Sequence, residues 1–307
     1  MLREEIYDFL TANGFRHSAG EVCGMHIIRV ESKDGSQRMI LPVEITAMTL
    51  EEAEKQSSGL RSSIEEIVRT SGQAPVVITE DRWTAQKEMT GKRLLAHLET
   101  FFPIYARNCE VRRIEKAEAE AFLKENHSYG DAACRYRYGL FLKRHTGQRA
   151  SGLIQPGTLV AVAEFSNARK WKKGDKVIRS YEWTRYASLP DVRINGGMGK
   201  VLKHFIREVQ PDDIMSYADL EWSEGRVYEQ LGFSLEGHKE AVTFMIDRER
   251  GIRRALGKRS FAYAQDDRRE AQDDRRETQD DRREVQDDRY FCNLGSNKYR
   301  LKLTDYE

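Results

Sequence analysis

Between residues 136 and 219 the hydrophobic period of the chain changes three times, and that succession restricts the fold more than any other feature. YRYGLFLKR (136–144), TLVAVAEFS (158–166) and VIRSYEWTRYAS (177–188) read as strands, from their alternating or continuous apolar runs. The chain then breaks into NGGMGK (195–200), turns amphipathic at helical spacing over 199–209, and returns to a strand in DDIMSYAD (212–219). Upstream, IYARNCEVRRI reads as a strand and EKAEAEAFLKENH (115–127) as a helix. Downstream, SEGRVYEQLGF opens as a short helix and AVTFMID (241–247) reads as the last strand. Three consecutive strands followed by an alternating half predict an α/β (α+β) fold with one mixed sheet and flanking helices, not a doubly wound sheet.

The rest of the chain divides around this core. Residues 1–103 predict a small α/β domain. It has a helix over 2–12, a hairpin of GMHIIRVES (24–32) and RMILPVEI (38–45), a helix over 49–70 in two pieces broken near Ser57–Gly59, a buried strand PVVIT (75–79) and a helix over 83–98. Residues 104–259 form the second domain. Residues 260–289 carry a seven-residue repeat, AQDDRRE twice, then TQDDRRE and VQDDR. Only one position per repeat is even weakly apolar, whereas a coiled coil needs both a and d. The repeat therefore reads as a solvated or disordered insertion, with 290–307 resuming the folded sequence.

The formal net charge is +1 although 33% of residues are charged, so only a local basic face can attract a nucleic acid. The four cysteines, Cys23, Cys109, Cys134 and Cys292, are too scattered for a metal knuckle and fit a reducing compartment. The start, MLREEIYDFLTANGF, is amphipathic rather than a signal peptide, and no apolar run approaches the roughly 20 residues of a membrane span. The expectation is a cytoplasmic protein with no membrane partner.

A cradle for a phosphate needs exposed backbone N–H groups at the positive end of a helix, and glycine lets a ligand approach them. Gly196, Gly197 and Gly199 provide this between a strand and a helix, in a spacing that is neither a P-loop nor a dinucleotide fingerprint. The alternative is an ordinary glycine turn. Among side chains, His127 ends a helix and can be a base or a cap of that helix. Arg185 sits on an alternating strand that puts Tyr181, Trp183 and Arg185 on one face, where its fork can take a phosphate or pair with Glu182. Ser216, Tyr217 and Asp219 end a strand, where α/β sheets usually place their sites. Alternation turns Ser216 away from Tyr217 and Asp219. Lys200 can contact a phosphate or stand in solvent. Arg169, Lys170, Trp171, Lys172 and Lys173 make a basic loop with an aromatic, a nucleic-acid contact or a solvated hairpin tip. Glu80 and Asp81 in ITEDRW, with Glu44, are adjacent acids of the helix-start kind, and no metal site is expected.

The order of strands, the glycine turn and Tyr228-Glu229-Gln230-Leu231-Gly232-Phe233 over residues 109–247 resemble the GNAT acyltransferase superfamily. ENHSYG (125–130), YGLFLK (138–143), LVAVAEFSNAR (159–169), SYEWTRYASLP (180–190) and SYADLEWSEGRVYEQLGF (216–233) resemble its phage-encoded Mom-type DNA-modification branch. The resemblance implies a GNAT-like mixed sheet and an acetyl-CoA or related acyl-CoA donor. It implies that the donor's diphosphate lies on Arg193, Asn195, Gly196, Gly197, Gly199 and Lys200, beside a strand that splays from its neighbour. It also implies that His127, Arg185, Ser216, Asp219 and Tyr228 are catalytic, with Tyr228 as acid to the leaving thiolate and a base in DNA as acceptor. The loop departs from the family pattern at Met198, where a small residue belongs, or at Ile194, where Gln or Arg belongs. Two other readings stay open: a nucleic-acid-binding module that keeps the fold without the donor, and an acetyltransferase for a small molecule or peptide.

Overall fold

The computed structural model describes residues 1–144, 148–149, 152–223, 225–247, 249–256 and 289–306, so the repeats of 264–288 lie outside the described residues. Among these, no helix is long and apolar enough to cross a membrane. The chain opens with α1 (Leu2–Ala12), then β1 (His17–Val22), β2 (Met25–Glu31), β3 (Gln37–Val43), α2 (Leu50–Ser71) and β4 (Val76–Thr79). The four strands pair in sequence order, and the α2 crossover makes β3 and β4 parallel. Strand β1 escapes a reading by period because HSAGEV is polar. It forms because Cys23 and Gly24, at φ 51° and 73°, turn it back onto β2. Helix α2 does not break at Ser57–Gly59. Thr49 caps its start at 3.2 Å from the Glu52 N–H, and buried Ser57 donates to the Asn293 carbonyl at 3.1 Å. A polar residue with a partner is tolerated inside a helix.

The helix expected over 83–98 is two helices, α3 (Glu80–Ala85) and α4 (Lys87–His97), separated at Gln86 by a non-helical backbone. The strand expected from Ile104 is likewise two, β5 (Phe102–Tyr105) and β6 (Cys109–Arg113), split by a 3₁₀ turn. There follow α5 (Lys116–Asn126), β7 (Tyr136–Leu142), a two-residue pair β8 (Gln148–Arg149) and β9 (Gly152–Leu153), β10 (Leu159–Phe165), β11 (Arg169–Lys173) and β12 (Lys176–Ser188). Then come β13 (Val192–Asn195), α6 (Gly197–Val209), β14 (Asp213–Asp219), α7 (Arg226–Gln230), β15 (Ser234–Lys239), β16 (Thr243–Ile246), β17 (Arg253–Leu256), β18 (Arg289–Cys292) and β19 (Ser296–Lys302).

The main sheet is eight-stranded and mixed, in the order β15-β19-β14-β12-β10-β7-β6, with β11 paired to β12. Every pairing is antiparallel except β12 with β14, which are joined through β13 and α6. Helix α6 covers one face: Phe205 stacks on Phe165 at 3.9 Å and meets Tyr181 edge-on. Helix α5 covers part of the other, setting Ala119, Phe122 and Leu123 on Val162 and Ala187.

The strand that completes this sheet is β19, inserted between β14 and β15, and not the segment 241–247. That segment contains β16, which lies in a separate sheet, β17-β16-β18. The reason is burial: Ile246, Phe291 and Leu294 share a core with Ile27, Leu41, Val43 and Leu60 of the first hundred residues. A parallel pairing of β5 with β13 makes a second junction between the two halves.

Candidate active site where two parallel strands part

Strands β12 and β14 pair only from Ser180–Glu182 to Asp213–Met215. Beyond that point β12 stays with β10 as far as Ser188, while β14 runs to Asp219 beside β19. The two strands therefore part at Trp183 and Ser216. A bulge sits at the same place: Phe165 opposes Trp183 and Glu164 opposes Arg185, leaving Thr184 over. The extra residue reverses the alternation. Tyr181 and Trp183 face the α6 core, but Arg185 does not share their face as alternation predicts. It turns to the α5 side, where its Nε donates to the Gly130 carbonyl at 3.0 Å and Nη1 to the Thr184 carbonyl at 2.9 Å. The fork expected to take a ligand instead holds the loop after α5.

Ser216 stands in the parting, its Oγ 2.9 Å from both the Trp183 carbonyl and the Tyr228 hydroxyl. The Trp183 indole donates to the Arg185 carbonyl at 2.9 Å. Burial pushes the Tyr228 hydroxyl above its ordinary pKa, so it keeps its proton.

The glycine cluster opens α6. Gly196, at φ 78°, is its N-cap. A Cβ on Gly197 would lie 2.6 Å from the Tyr186 hydroxyl and 2.8 Å from Ile194; one on Gly199 would lie 3.2 Å from Leu231. The helix thus starts against β12, β13 and the end of α7. No side chain caps its first turn, so N–H groups there remain for an outside acceptor. The two cations expected at a diphosphate are turned elsewhere. Lys200 donates to the Ala106 and Cys109 carbonyls at 2.8 and 2.6 Å, and is not the exposed lysine of the alternative reading either. Arg193 pairs with Glu99 at 3.1 Å and lies over the Phe101 ring. Asn195 is exposed, in register with Tyr105.

At the end of β14 a second group converges. The Tyr129 hydroxyl donates to Asp219 Oδ2 at 2.7 Å, and Asp219 Oδ1 accepts the Glu221 N–H at 3.0 Å. Arg82 of α3 reaches Tyr129 Oη at 2.9 Å, Glu221 at 2.9 Å and Asp219 at 3.5 Å. Burial and then the Glu221 charge raise the Asp219 carboxyl above the usual range, against the pull of Arg82 and Tyr129. Burial, followed by Asp219, raises Tyr129 further still, so it serves as a donor and not as a base. His127 closes α5, its N–H on the Leu123 carbonyl at 2.9 Å and its Nδ1 accepting from the Tyr129 N–H at 3.1 Å. Burial, then Arg185 and Arg82, pull it down to about 3. An imidazole held neutral to that point is a poor base at neutral pH, and Asp219 is the better one.

His127, Arg185 and Asp219 thus gather around Tyr129, while Ser216 and Tyr228 form a second pair on the other side of β14. Residues 169–173 are a strand and not a loop, and they join neither group. All five are exposed on β11, which pairs with the first residues of β12. Nine residues separate Lys176 from Arg185, roughly 30 Å of strand. The ITEDRW acids are engaged: Glu80 accepts the Ile45 N–H at 2.8 Å and buried Asp81 pairs with Arg253. Tyr129, Arg82 and Glu221 went unread. Tyr129 stands in ENHSYG and Glu221 in SYADLEW, but nothing local to ITEDRW connects Arg82 with them. Also unread is Glu164, which burial and the neighbouring Asp131 carboxyl raise in pKa.

No family model and no curated relative matches the sequence. A solved structure described as histone acetyltransferase HPA2 and related acetyltransferase, from Corynebacterium glutamicum, aligns with 86% of this chain and 97% of its own. The identity is 10% and the TM-score 0.28, a likeness too loose to bear on fold or activity. The functional reading therefore rests on the chain's own strands and side chains.

Proposed function

We propose that the protein is a GNAT-like acyltransferase that moves an acyl group from a coenzyme A thioester to an amino group, and that this amino group belongs to a base in DNA. The observation that carries the reading is the parting of β12 from β14 beside the uncapped start of α6, with Asp219 at the end of β14. The N–H groups of Gly197, Met198 and Gly199 are what this chain offers a diphosphate, in place of Arg193 and Lys200. The donor supplies an acyl carbon activated by its thioester. Asp219, a carboxylate of raised pKa, accepts the proton that the attacking amine loses as the N–C bond forms. Tyr228, which reaches the parting from the opposite, α6 face of β14 through Ser216, keeps its proton and delivers it to the thiolate released when the C–S bond breaks. The exposed basic strand β11, with Trp171, supports DNA as the carrier of the amine: it suits a grip on phosphates remote from the reacting base.

One observation favours the binding-module reading. The Trp183 and Arg185 carbonyls, on the β12 backbone that an amide arm of the donor would bond, already accept from Ser216 and the Trp183 indole. Acetyl-CoA, duplex DNA and protein are incubated together, and the digested nucleosides are weighed. A new acyl mass on one nucleoside is expected, with a rise in the melting midpoint at saturating acetyl-CoA. Unchanged nucleosides and an unchanged midpoint, with DNA still bound, establish the binding module instead.

A further inference from the structure

The first hundred residues reach into the group around Asp219. Arg82 is 7% exposed and lies on α3, outside the strand–glycine–helix succession. Its Nε and Nη2 both donate to Glu221, at 3.1 and 2.9 Å, and Nη2 also donates to the Tyr129 hydroxyl at 2.9 Å. Its guanidinium carbon lies 5.2 Å from the centre of the Tyr129 ring and 5.1 Å from that of the Trp222 ring. Four residues on, Gln86 Nε2 donates to the Ser128 carbonyl at 3.0 Å, so the same segment also grips the backbone beside Tyr129. Once Arg82 donates to the Tyr129 oxygen, the hydroxyl proton is directed elsewhere, and it points at Asp219 Oδ2.

We propose that the N-terminal unit is a wall of the active site, and that Arg82 is a positioning residue which fixes the Tyr129 hydroxyl on Asp219. The inference deepens the acyltransferase reading and rests on it for its kinetic consequence only. A guanidinium suits the task because its fork serves Glu221 and Tyr129 together, which an ammonium cannot do in one geometry. Arg253 also holds Glu221, at 2.7 Å on Oε2 and 3.2 Å on Oε1, so Glu221 keeps a partner when Arg82 is removed. The charged and titratable groups that face Asp219 are Arg82 and Arg93 from the N-terminal helices, Tyr129 from the loop after α5, and Glu221 from its own segment. Three of these, Arg82, Arg93 and Tyr129, favour the carboxylate, and two of the three depend on the placement of Arg82.

The test follows the ¹³C carboxyl resonance of Asp219 against pH in the full chain, assigned by its absence in Asp219→Asn. In Arg82→Met the midpoint rises by about one unit or more, through removal of the cation and release of the hydroxyl. Tyr129→Phe moves it in the same direction, and Arg82→Lys restores part of the shift. In the transfer assay the acid limb of kcat moves with the midpoint, while KM for the donor stays at the wild-type value. Tyr129→Phe leaves every ion pair in place and reads the share of the hydroxyl, and if Arg82→Met does not fold, Arg82→Lys decides the matter by a midpoint above the wild-type value. Folded variants with the wild-type carboxyl titration overturn the proposal. If the wild-type protein transfers nothing, the acyltransferase reading fails, and the carboxyl titration still decides the role of Arg82.

Discussion

Gly196 and Gly197 are adjacent but resist substitution for different reasons. Gly196→Ala forces a Cβ into positive φ and costs about 1 kcal/mol of stability, read from the urea midpoint. Gly197→Ala drives a Cβ into the Tyr186 hydroxyl and Ile194, which costs roughly 1–3 kcal/mol and shifts the start of α6. If N–H groups of this turn hold the donor, Gly197→Ala also abolishes the acetyl-CoA thermal shift, whereas Gly196→Ala keeps it. The acid–base assignment is tested at one atom. Asp219→Asn keeps one oxygen, which can accept the Glu221 N–H, but sets an amide donor where Tyr129 and Arg82 donate. It therefore costs about 1–3 kcal/mol of stability, read from the urea midpoint, while transfer by the folded variant falls by about 10²–10⁴ if the carboxylate is the base. Arg185→Ala acts less directly: it releases the Gly130 carbonyl and loosens the loop that carries His127 and Tyr129.

At the scale of elements, local period marks β6, β7, β10, β12 and β14 of the main sheet with α5, α6 and α7, because their apolar positions recur regularly, but it does not mark β11, β15 or β19. It failed where partners distant in sequence decide the outcome. Ser57 stays helical through Asn293, more than two hundred residues on, and β1 is held by pairing and not by pattern. The site was legible in part for the same reason. SYAD and YEQLGF mark Asp219 and Tyr228 locally, but the face of Arg185 depends on one extra residue at a bulge, which no alternation reveals. Strand β11 has a structural reading beside the functional one: lysines on an unpaired edge prevent strands of other molecules from adding to it. Lys170→Glu with Lys172→Glu separates the two. If β11 holds DNA phosphates, affinity for duplex falls, and the slope of log K against log salt drops by about 0.9 for each phosphate no longer neutralised. If β11 is only a guarded edge, the salt slope is unchanged.

Across the whole molecule, burial is shared between the halves, and so is the response to acid. His97, at the end of α4, is pulled down to about 3 by burial and then by Arg93, Arg193 and Arg38; His127, at the end of α5, falls to about 3 by burial and then Arg185 and Arg82. Above the unfolded value of about 6.5 both histidines are neutral folded or unfolded, and neither makes stability depend on pH. Below it the unfolded chain binds protons that the folded chain refuses. Each histidine therefore removes up to about 1.4 kcal/mol per pH unit, as pH falls from about 6.5 toward the folded value of about 3. Glu164 acts with the opposite sign, because its raised pKa makes the folded chain hold a proton before the unfolded chain does. The histidines are accordingly read by difference, from urea unfolding of wild type, His97→Gln and His127→Gln between pH 7.5 and 5. Each variant is expected to lose acid sensitivity relative to wild type below pH 6.5, and the double variant to lose the sum. Variants that track the wild-type curve would mean that both imidazoles take up protons in the folded state, and that water reaches the ends of α4 and α5.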